Sequence, residues 1–432
     1  MPQLHSSVRR QSRWARVLGF LCPCIIATFA AAQPPVWTLE NSIRRVMEVA
    51  PETQASLAAI SARQGALRQA GAWPNPQIEL RADNKIGKDD GSGGTDLTQF
   101  ALSQPLPLSG RIGQQKAAAG AQLDAARVER RYQHALLETQ VAQRYHGLQL
   151  AEGRLRLAEQ RLRLADGLQD AGLRREQAGE LSTLERLRLD LIREAAQQIL
   201  DKSAGEYSEA LSRFRAYLGL SAETTLQLTP LEAFGPLPAL KQLQAELVEH
   251  PALQAARYRL AAAQSGVSLA RAERLPDPSL RLFRERDFLN GRRQDIAGIG
   301  IAITVPLWDR NSGRIDETRA QVIQAQSELR ILERDLGSRL QQSYLHLNHL
   351  VQQGQHYRTR VFEPARTVFD LTRKAYRSGE LEILALIDAN NTYFDAHERY
   401  LELLQEAWLE GAELRLAAGR PLVSTEQDAR HE

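Results

Sequence analysis

The sequence predicts a mainly α-helical fold with a small β part, built by internal duplication. Three observations predict it. First, short motifs recur in the same order about 200 residues apart, and a chain that repeats itself builds one structure from two similar halves. Pro74-Asn75-Pro76 returns as Pro276-Asp277-Pro278, Gln104-Pro105-Leu106 as Val305-Pro306-Leu307, Ser109-Gly110-Arg111-Ile112 as Ser312-Gly313-Arg314-Ile315, and Gly179-Glu180-Leu181 as Gly379-Glu380-Leu381. Second, each half holds two short stretches in which apolar and polar residues alternate. Third, these stretches are embedded in long runs rich in Ala, Leu, Gln, Glu and Arg, the composition of extended helix and coiled coil.

Residues 1–32 read as a signal peptide. Arg9, Arg10, Arg13 and Arg16 precede an apolar run from Val17 that ends in Ala30-Ala31-Ala32, the basic, apolar, small-residue order of an export signal. Cys22 and Cys24, the only cysteines, fall inside it, so the exported chain is expected to have no disulfide, thiolate metal site or cysteine nucleophile. Over the whole chain, a mean hydropathy of −0.39 and 25% charged residues exclude a helical membrane bundle. The chain has 55 Lys and Arg against 52 Asp and Glu, a net charge of +3. That balance gives no footprint for nucleic acid.

The first structural repeat spans 33–225. A helix is expected from Leu39 to Ala72, broken at Pro51. Trp73-Pro74-Asn75-Pro76 ends it, because proline disfavours helix for the residue before it. Ile78, Leu80 and Ala82 then alternate with Gln77, Glu79, Arg81 and Asp83; period two means a strand with one greasy face. Lys85 to Gly94 is a Gly/Asp/Ser loop, and a second strand over 96–104 completes a β-hairpin within 76–104. From Arg111 to about Leu173 no proline interrupts the helical pattern, and a helix returns from Ser182 to Leu218 with Gly219 in the capping position.

After a proline-containing linker at 226–239, the second repeat, 240–422, does the same. Leu280 and Leu282 alternate with Ser279 and Arg281, and Ile299, Ile301, Ile303 and Val305 with Gly298, Gly300, Ala302 and Thr304. Arg286 to Gln294 is expected as the loop of this hairpin, which occupies 278–306. A helix runs from Arg314 through Glu363-Pro364 to Arg377, and another from Leu381 to Ala418. Leucines at heptad spacing, Leu148, Leu155 and Leu162, then Leu329 and Leu336, suit coiled-coil packing. The tail, 423–432, is expected to be disordered.

Strands of this length suit a tilted membrane crossing. Four strands cannot close a barrel, and an open sheet in lipid leaves unpaired edges at a cost of several kcal/mol per group. Several chains must therefore pool their strands. Three copies supply twelve, inside the range of outer-membrane barrels.

In this arrangement the chain resembles the TolC family of outer-membrane efflux channels, and within it the heavy-metal (cobalt, zinc, cadmium) resistance branch. The resemblance is carried by Ala72-Trp73-Pro74-Asn75-Pro76 and Ser103-Gln104-Pro105-Leu106 in the first half. In the second it is carried by Arg274-Leu275-Pro276-Asp277-Pro278 and Val305-Pro306-Leu307 with Arg310-Asn311-Ser312-Gly313. It implies a homotrimer whose long antiparallel helices form a trimeric α-barrel in the periplasm. Four transmembrane strands per chain would pool into a twelve-stranded β-barrel in outer-membrane lipid. It further implies a passive exit duct, a periplasmic adaptor (membrane fusion) protein, and an inner-membrane pump of the resistance-nodulation-division (RND) type. The cargo implied is divalent heavy-metal cations.

The same resemblance points to the helix reversals as adaptor-contacting tips, at Gly179, Leu181, Gly379 and Leu381. The family's second tip can carry two pore-ringing acids; here the first position is Ala385 and the second is Asp388, with Glu185 as a first-half counterpart. His346, His349 and His356 share a stripe of one helix and read as a polar face rather than a metal ladder. The phosphate-loop, HExxH and GxSxG patterns do not occur, so an enzyme is not expected and no catalytic, cofactor-binding or metal-ligating residue is assigned. The alternative reading is a periplasmic coiled-coil adaptor or scaffold without a pore. The row Ile299, Ile301, Ile303 and Val305 argues against it.

Overall fold

The structure, a computed structural model, describes residues 36–82, 98–289 and 292–422. The signal peptide with Cys22 and Cys24, the loop at 85–94 and the tail at 423–432 lie outside the described residues.

Chain order sets out the two halves. The first contains β1 (Val36–Trp37), α1 (Leu39–Val49), α2 (Pro51–Ala70), β2 (Gln77–Ala82), β3 (Thr98–Pro105), α3 (Arg111–Gln177) and α4 (Thr183–Tyr217). Next come β4 (Gln227–Leu228), α5 (Leu240–Glu246), α6 (Pro251–Ala272), β5 (Ser279–Leu289) and β6 (Arg292–Ala302). The chain then runs through α7 (Ser312–Tyr357), α8 (Glu363–Arg377) and α9 (Ile383–Ala417). Pro51 does break the first helix, standing at the start of α2 where its missing N–H costs nothing. At 67 residues α3 is a rod of roughly 100 Å.

The four long strands form one antiparallel sheet in the order β2-β3-β5-β6. Residues opposite one another share a face, so Ile78, Leu102, Leu282 and Ile299 form one row, and Gln104, Leu280 and Ile301 lie in another on the same side. That side is open: Ile78, Leu80, Ile299 and Ile301 are 66–77% exposed. Ile303 and Val305 continue the exposed row past the end of β6. The other side carries a polar network beside Ala101, Phe283 and Ile296. Arg281 contacts Glu79 at 2.9 Å and Gln99 at 3.4 Å, and Gln99 donates to Glu285 at 3.1 Å.

One expectation is corrected. Arg286 to Gln294 is not a loop: β5 and β6 stay paired through Arg286↔Asp295 to Leu289↔Arg292. Ion pairs of Arg284 and Arg286 with Asp295 let charged residues continue the ladder, where apolar alternation alone gave no strand signal.

The helices below repeat with one instructive difference. Leu137, Val141, Tyr145 and Leu148 on α3 answer to Leu336, Leu340, Tyr344 and Leu347 on α7. The second copy then carries one more residue before its tip glycine than the first. That residue is absorbed in a π-helical turn at Arg358–Phe362, where the Glu363 N–H donates to the Arg358 carbonyl. Pro364 follows at once; it has no N–H to give, and the wide turn accommodates it without ending the rod.

The linker is built in rather than free. β1 and β4 pair in parallel, and Leu226 and Leu228 join the core of Ile43, Val46, Val141, Tyr145 and Phe214. Tyr145 donates to the Trp37 carbonyl at 2.9 Å and lies 2.8 Å from the Thr229 hydroxyl. Farther on, Phe234 packs with Leu243, Leu340 and Leu347 of the second-half core. It fills the space over Gly411, where a Cβ would stand 2.3 Å from its ring. The expected heptad leucines divide: Leu148 and Leu336 are buried, while Leu155, Leu162 and Leu329 are half-buried.

Candidate functional site: the helix tips and the open sheet

At both reversals the backbone needs a left-handed residue. Gly179 has φ 77° and Gly379 φ 78°, values that cost an ordinary L-residue about 1 kcal/mol or more. Each glycine closes a Schellman cap: the Gly179 N–H donates to Glu176 and the Glu180 N–H to Arg175, with Gly379 to Tyr376 and Glu380 to Ala375 in the second half. Gly219 and Gly419, at φ 63° and 71°, do the same at the far ends.

The two tips start their return helices differently. Ser182 caps α4 by accepting from the Glu185 N–H at 3.3 Å, and the Glu185 carboxylate accepts from the Ser182 N–H at 3.1 Å. The Ser182 hydroxyl also donates to that carboxylate at 2.7 Å, and this bond, with the one from the Ser182 N–H, holds the Glu185 carboxyl below its ordinary range. Glu185 thus has a local task, the reciprocal capping box legible in Ser182-Thr183-Leu184-Glu185. The second tip has Glu382 as a cap without a side-chain hydrogen bond, and Ala385 stands where Glu185 stood. Asp388, two turns into the structure after Gly379, is exposed.

A shared core joins the tips. Leu168 and Leu189 of the first hairpin pack with Phe369, Tyr376, Ile383 and Leu386 of the second, and the Arg175 guanidinium lies 4.8 Å above the Tyr376 ring. Leu181 is half-buried on the rim of this cluster, whereas Leu381 is 42% exposed. Gly172 permits the close approach: a Cβ there would meet Leu189 at 2.3 Å. The structure places Gly179, Leu181, Gly379 and Leu381, expected from the sequence, at the two reversals and Asp388 on α9. The aromatic pair Phe369 and Tyr376 in the tip core was not expected from the sequence, though its spacing of seven is the ordinary heptad signal.

Higher up, aromatic rings line the π-turn. Phe362 stacks on Tyr400 at 5.2 Å and tilts against His397 at 4.9 Å, and Phe369 stacks on Tyr393 at 5.0 Å. Burial, with the nearby Arg366 charge, lowers the His397 pKa. His146 is a second buried imidazole, stacked on Trp408 at 5.0 Å, and burial pushes its pKa down to about 4. His346 of the expected polar stripe contacts Glu410 at 3.0 Å. Among the described residues, no three metal-binding side chains converge, and no helix is long and apolar enough to cross a membrane.

This geometry has known counterparts. The chain matches the family "Outer membrane efflux protein" twice, at residues 43–220 and 242–420. It is 24% identical over 362 residues to the cobalt-zinc-cadmium resistance protein CzcC of Cupriavidus metallidurans, covering 84% of this chain and 85% of that one. The nickel-cobalt-cadmium resistance protein NccC of Alcaligenes xylosoxydans xylosoxydans is 23% identical over 301 residues, covering 69% and 67%. Among solved structures, CusC superposes with a TM-score of 0.73 at 19% identity over 91% of this chain and 96% of that one. The outer membrane protein VceC of Vibrio cholerae does so with a TM-score of 0.71 at 16% identity over 89% and 97%. The duplicated architecture, the open apolar sheet and the family match on both halves lead to one conclusion: the chain belongs to the outer membrane efflux protein family.

Proposed function

We propose that this protein is the passive outer-membrane exit duct of a tripartite efflux system for divalent heavy-metal cations. Three copies pool their sheets into a twelve-stranded barrel and their helices into a periplasmic cylinder. A periplasmic adaptor meets the tips around Gly179, Leu181, Gly379 and Leu381, and an inner-membrane pump of the RND type supplies the energy. The duct does no covalent chemistry, and its work is to keep a wall closed against lipid.

The observation that carries this reading is the sheet. Its open side carries an apolar row across all four strands, Ile78, Leu102, Leu282 and Ile299, with Arg284, Arg286 and Asp295 toward the hairpin end; its opposite side holds the Glu79, Gln99, Arg281 and Glu285 network; and among the described residues β2 and β6 have unpaired edges. Such a sheet is unstable alone in either solvent: water faces its greasy side, and lipid faces its open edges. All neighbouring strands are antiparallel, so β6 of one copy can pair with β2 of the next without breaking the pattern.

The cargo follows from the cobalt, zinc, nickel and cadmium resistance of the relatives. Asp388 is the acid we assign to a ring near the tip, where three carboxylates around one axis would favour cations. Glu185 is not carried forward with it, because its carboxylate is engaged by Ser182. Deleting the gene tests the whole reading: cells should become sensitive to zinc, cobalt or cadmium, and a plasmid copy should restore them. Unchanged metal tolerance beside new sensitivity to organic toxicants would reject the metal cargo.

A further inference from the structure

The open side of the sheet changes character with distance from the helices. Its nearer rows hold Leu280 and Ile301, then Leu282 and Ile299. Farther out on the same side, Arg284 lies between Phe100 and Ala297, and Arg286 lies opposite Asp295, because side chains two apart on a strand share a face. At this height the first hairpin contributes Leu80, Ala82 and Phe100. The charges come from β5 and β6, so the duplicated halves differ here.

Asp295 serves both arginines. It lies 3.1 Å from Arg286 Nε and 3.6 Å from the Arg284 guanidinium, and one carboxylate neutralises one charge, so each copy keeps a positive charge on this patch. The Arg284 and Arg286 side chains are 69% and 58% exposed, and with Phe100 and Asp295 they line an open groove of about 390 Å³. Depth can be read along the chain. Val305, at the lower end of the apolar row, follows Asp295 by ten positions. At about 3.4 Å per residue and a tilt of about 40° that is roughly 25 Å along the normal, the height of an outer-membrane barrel's apolar band. An arginine facing lipid is strongly disfavoured at the bilayer midplane and close to neutral at its edge. These two stand at the edge, at the end of the sheet away from the helices.

We infer that Arg284 and Arg286 dock a phosphate group of an outer-leaflet lipid, the phosphorylated glycolipid of outer membranes. The inference rests on the barrel reading above, which turns this side toward lipid and this end toward the outer leaflet. The planar guanidinium fork matches a phosphate's oxygens. Phe100 lines the groove, and Leu282 and Ile299 lie below it, so an acyl chain has apolar surface to follow while its phosphate meets N–H groups. A free anion has no use for that surface. A ring of three copies carries three such sites.

The test titrates the detergent-solubilised protein with diphosphorylated lipid A, with its dephosphorylated form and with inorganic phosphate, and counts bound lipids by native mass spectrometry. The parent should bind up to three lipid A molecules per trimer. Removing the phosphates should weaken binding by about tenfold or more, the scale of one lost charge-assisted contact. Arg284→Gln with Arg286→Gln should lose as much, and Arg284→Lys with Arg286→Lys should recover part of it. A trimer that holds dephosphorylated lipid as tightly as lipid A, or a glutamine variant that binds lipid A as the parent does, overturns the site and leaves the duct standing. Inorganic phosphate displacing lipid A at equal concentration overturns the lipid assignment in favour of a free anion. A monomer overturns the barrel and the site together.

Discussion

Arg111 and Asp277 tie the two halves together where helix meets sheet. Two guanidinium nitrogens of Arg111, at the first turn of α3, contact one oxygen of Asp277 at 2.8 and 2.6 Å, just before β5 begins. Both side chains are largely shielded, at 25% and 13% exposure. The Asp lies in the Pro-Asp-Pro motif and the Arg in the Ser-Gly-Arg-Ile motif, so the duplicated signals meet across the repeat boundary.

Removing that carboxylate is the first prediction. Asp277→Ala should lower stability by about 1–3 kcal/mol, since it leaves a shielded guanidinium without its partner. Thermal unfolding followed by circular dichroism in detergent checks it. Arg111→Lys should lose less, because it keeps the charge while giving up the two-nitrogen grip.

The strap between the halves gives the second. Gly411→Val places a side chain where the Phe234 ring lies, and overpacking of this kind costs about 1–3 kcal/mol. The displaced linker should become a protease target, and limited proteolysis should cut within 226–239 in the variant faster than in the parent.

A third concerns acid. Gln149 donates its amide to the Thr229 carbonyl at 2.6 Å, so its oxygen accepts from His146 Nδ1 at 2.7 Å, and Nε2 is buried without a partner. The folded state favours the neutral ring, and its pKa lies at about 4 against an ordinary 6.5. The unfolded chain therefore binds the extra proton, and stability rises with pH through that interval. Acidification from 6.5 to 4 should remove up to about 3 kcal/mol. His146→Gln should flatten this slope when melting temperature is plotted against pH.

The tips give a fourth. Gly179→Ala and Gly379→Ala meet no atom within 4 Å, so each should cost only its backbone strain, about 1 kcal/mol. The variants should still assemble. Weakened pull-down of the adaptor by assembled trimers would mark these turns as its contact.

Much of this was legible because periodicity reports which face is buried. Period two in Ile299 and Ile301 placed an apolar sheet face, and the unbroken run after Arg111 placed a long rod. The glycines at 179 and 379 announced reversals because few other residues adopt their φ. What was not legible depends on distant partners. Nothing local in Thr229 or Phe234 says that the linker fills both cores. The π-turn arises from comparing copies, since one extra residue in a helix shows only when Tyr145 and Tyr344 are aligned. Glu185 is expected only as a counterpart of Asp388, although its capping box with Ser182 is a local signal. The charged ends of β5 and β6 looked like loop because ion pairing, rather than apolar alternation, holds that pairing.

Native mass spectrometry of protein extracted from the outer-membrane fraction tests the central claim most directly, because every part of the account needs strands from more than one chain. The expected result is a single species of three protomers that withstands detergent exchange. A monomer that stays soluble and monodisperse with no detergent present would contradict it.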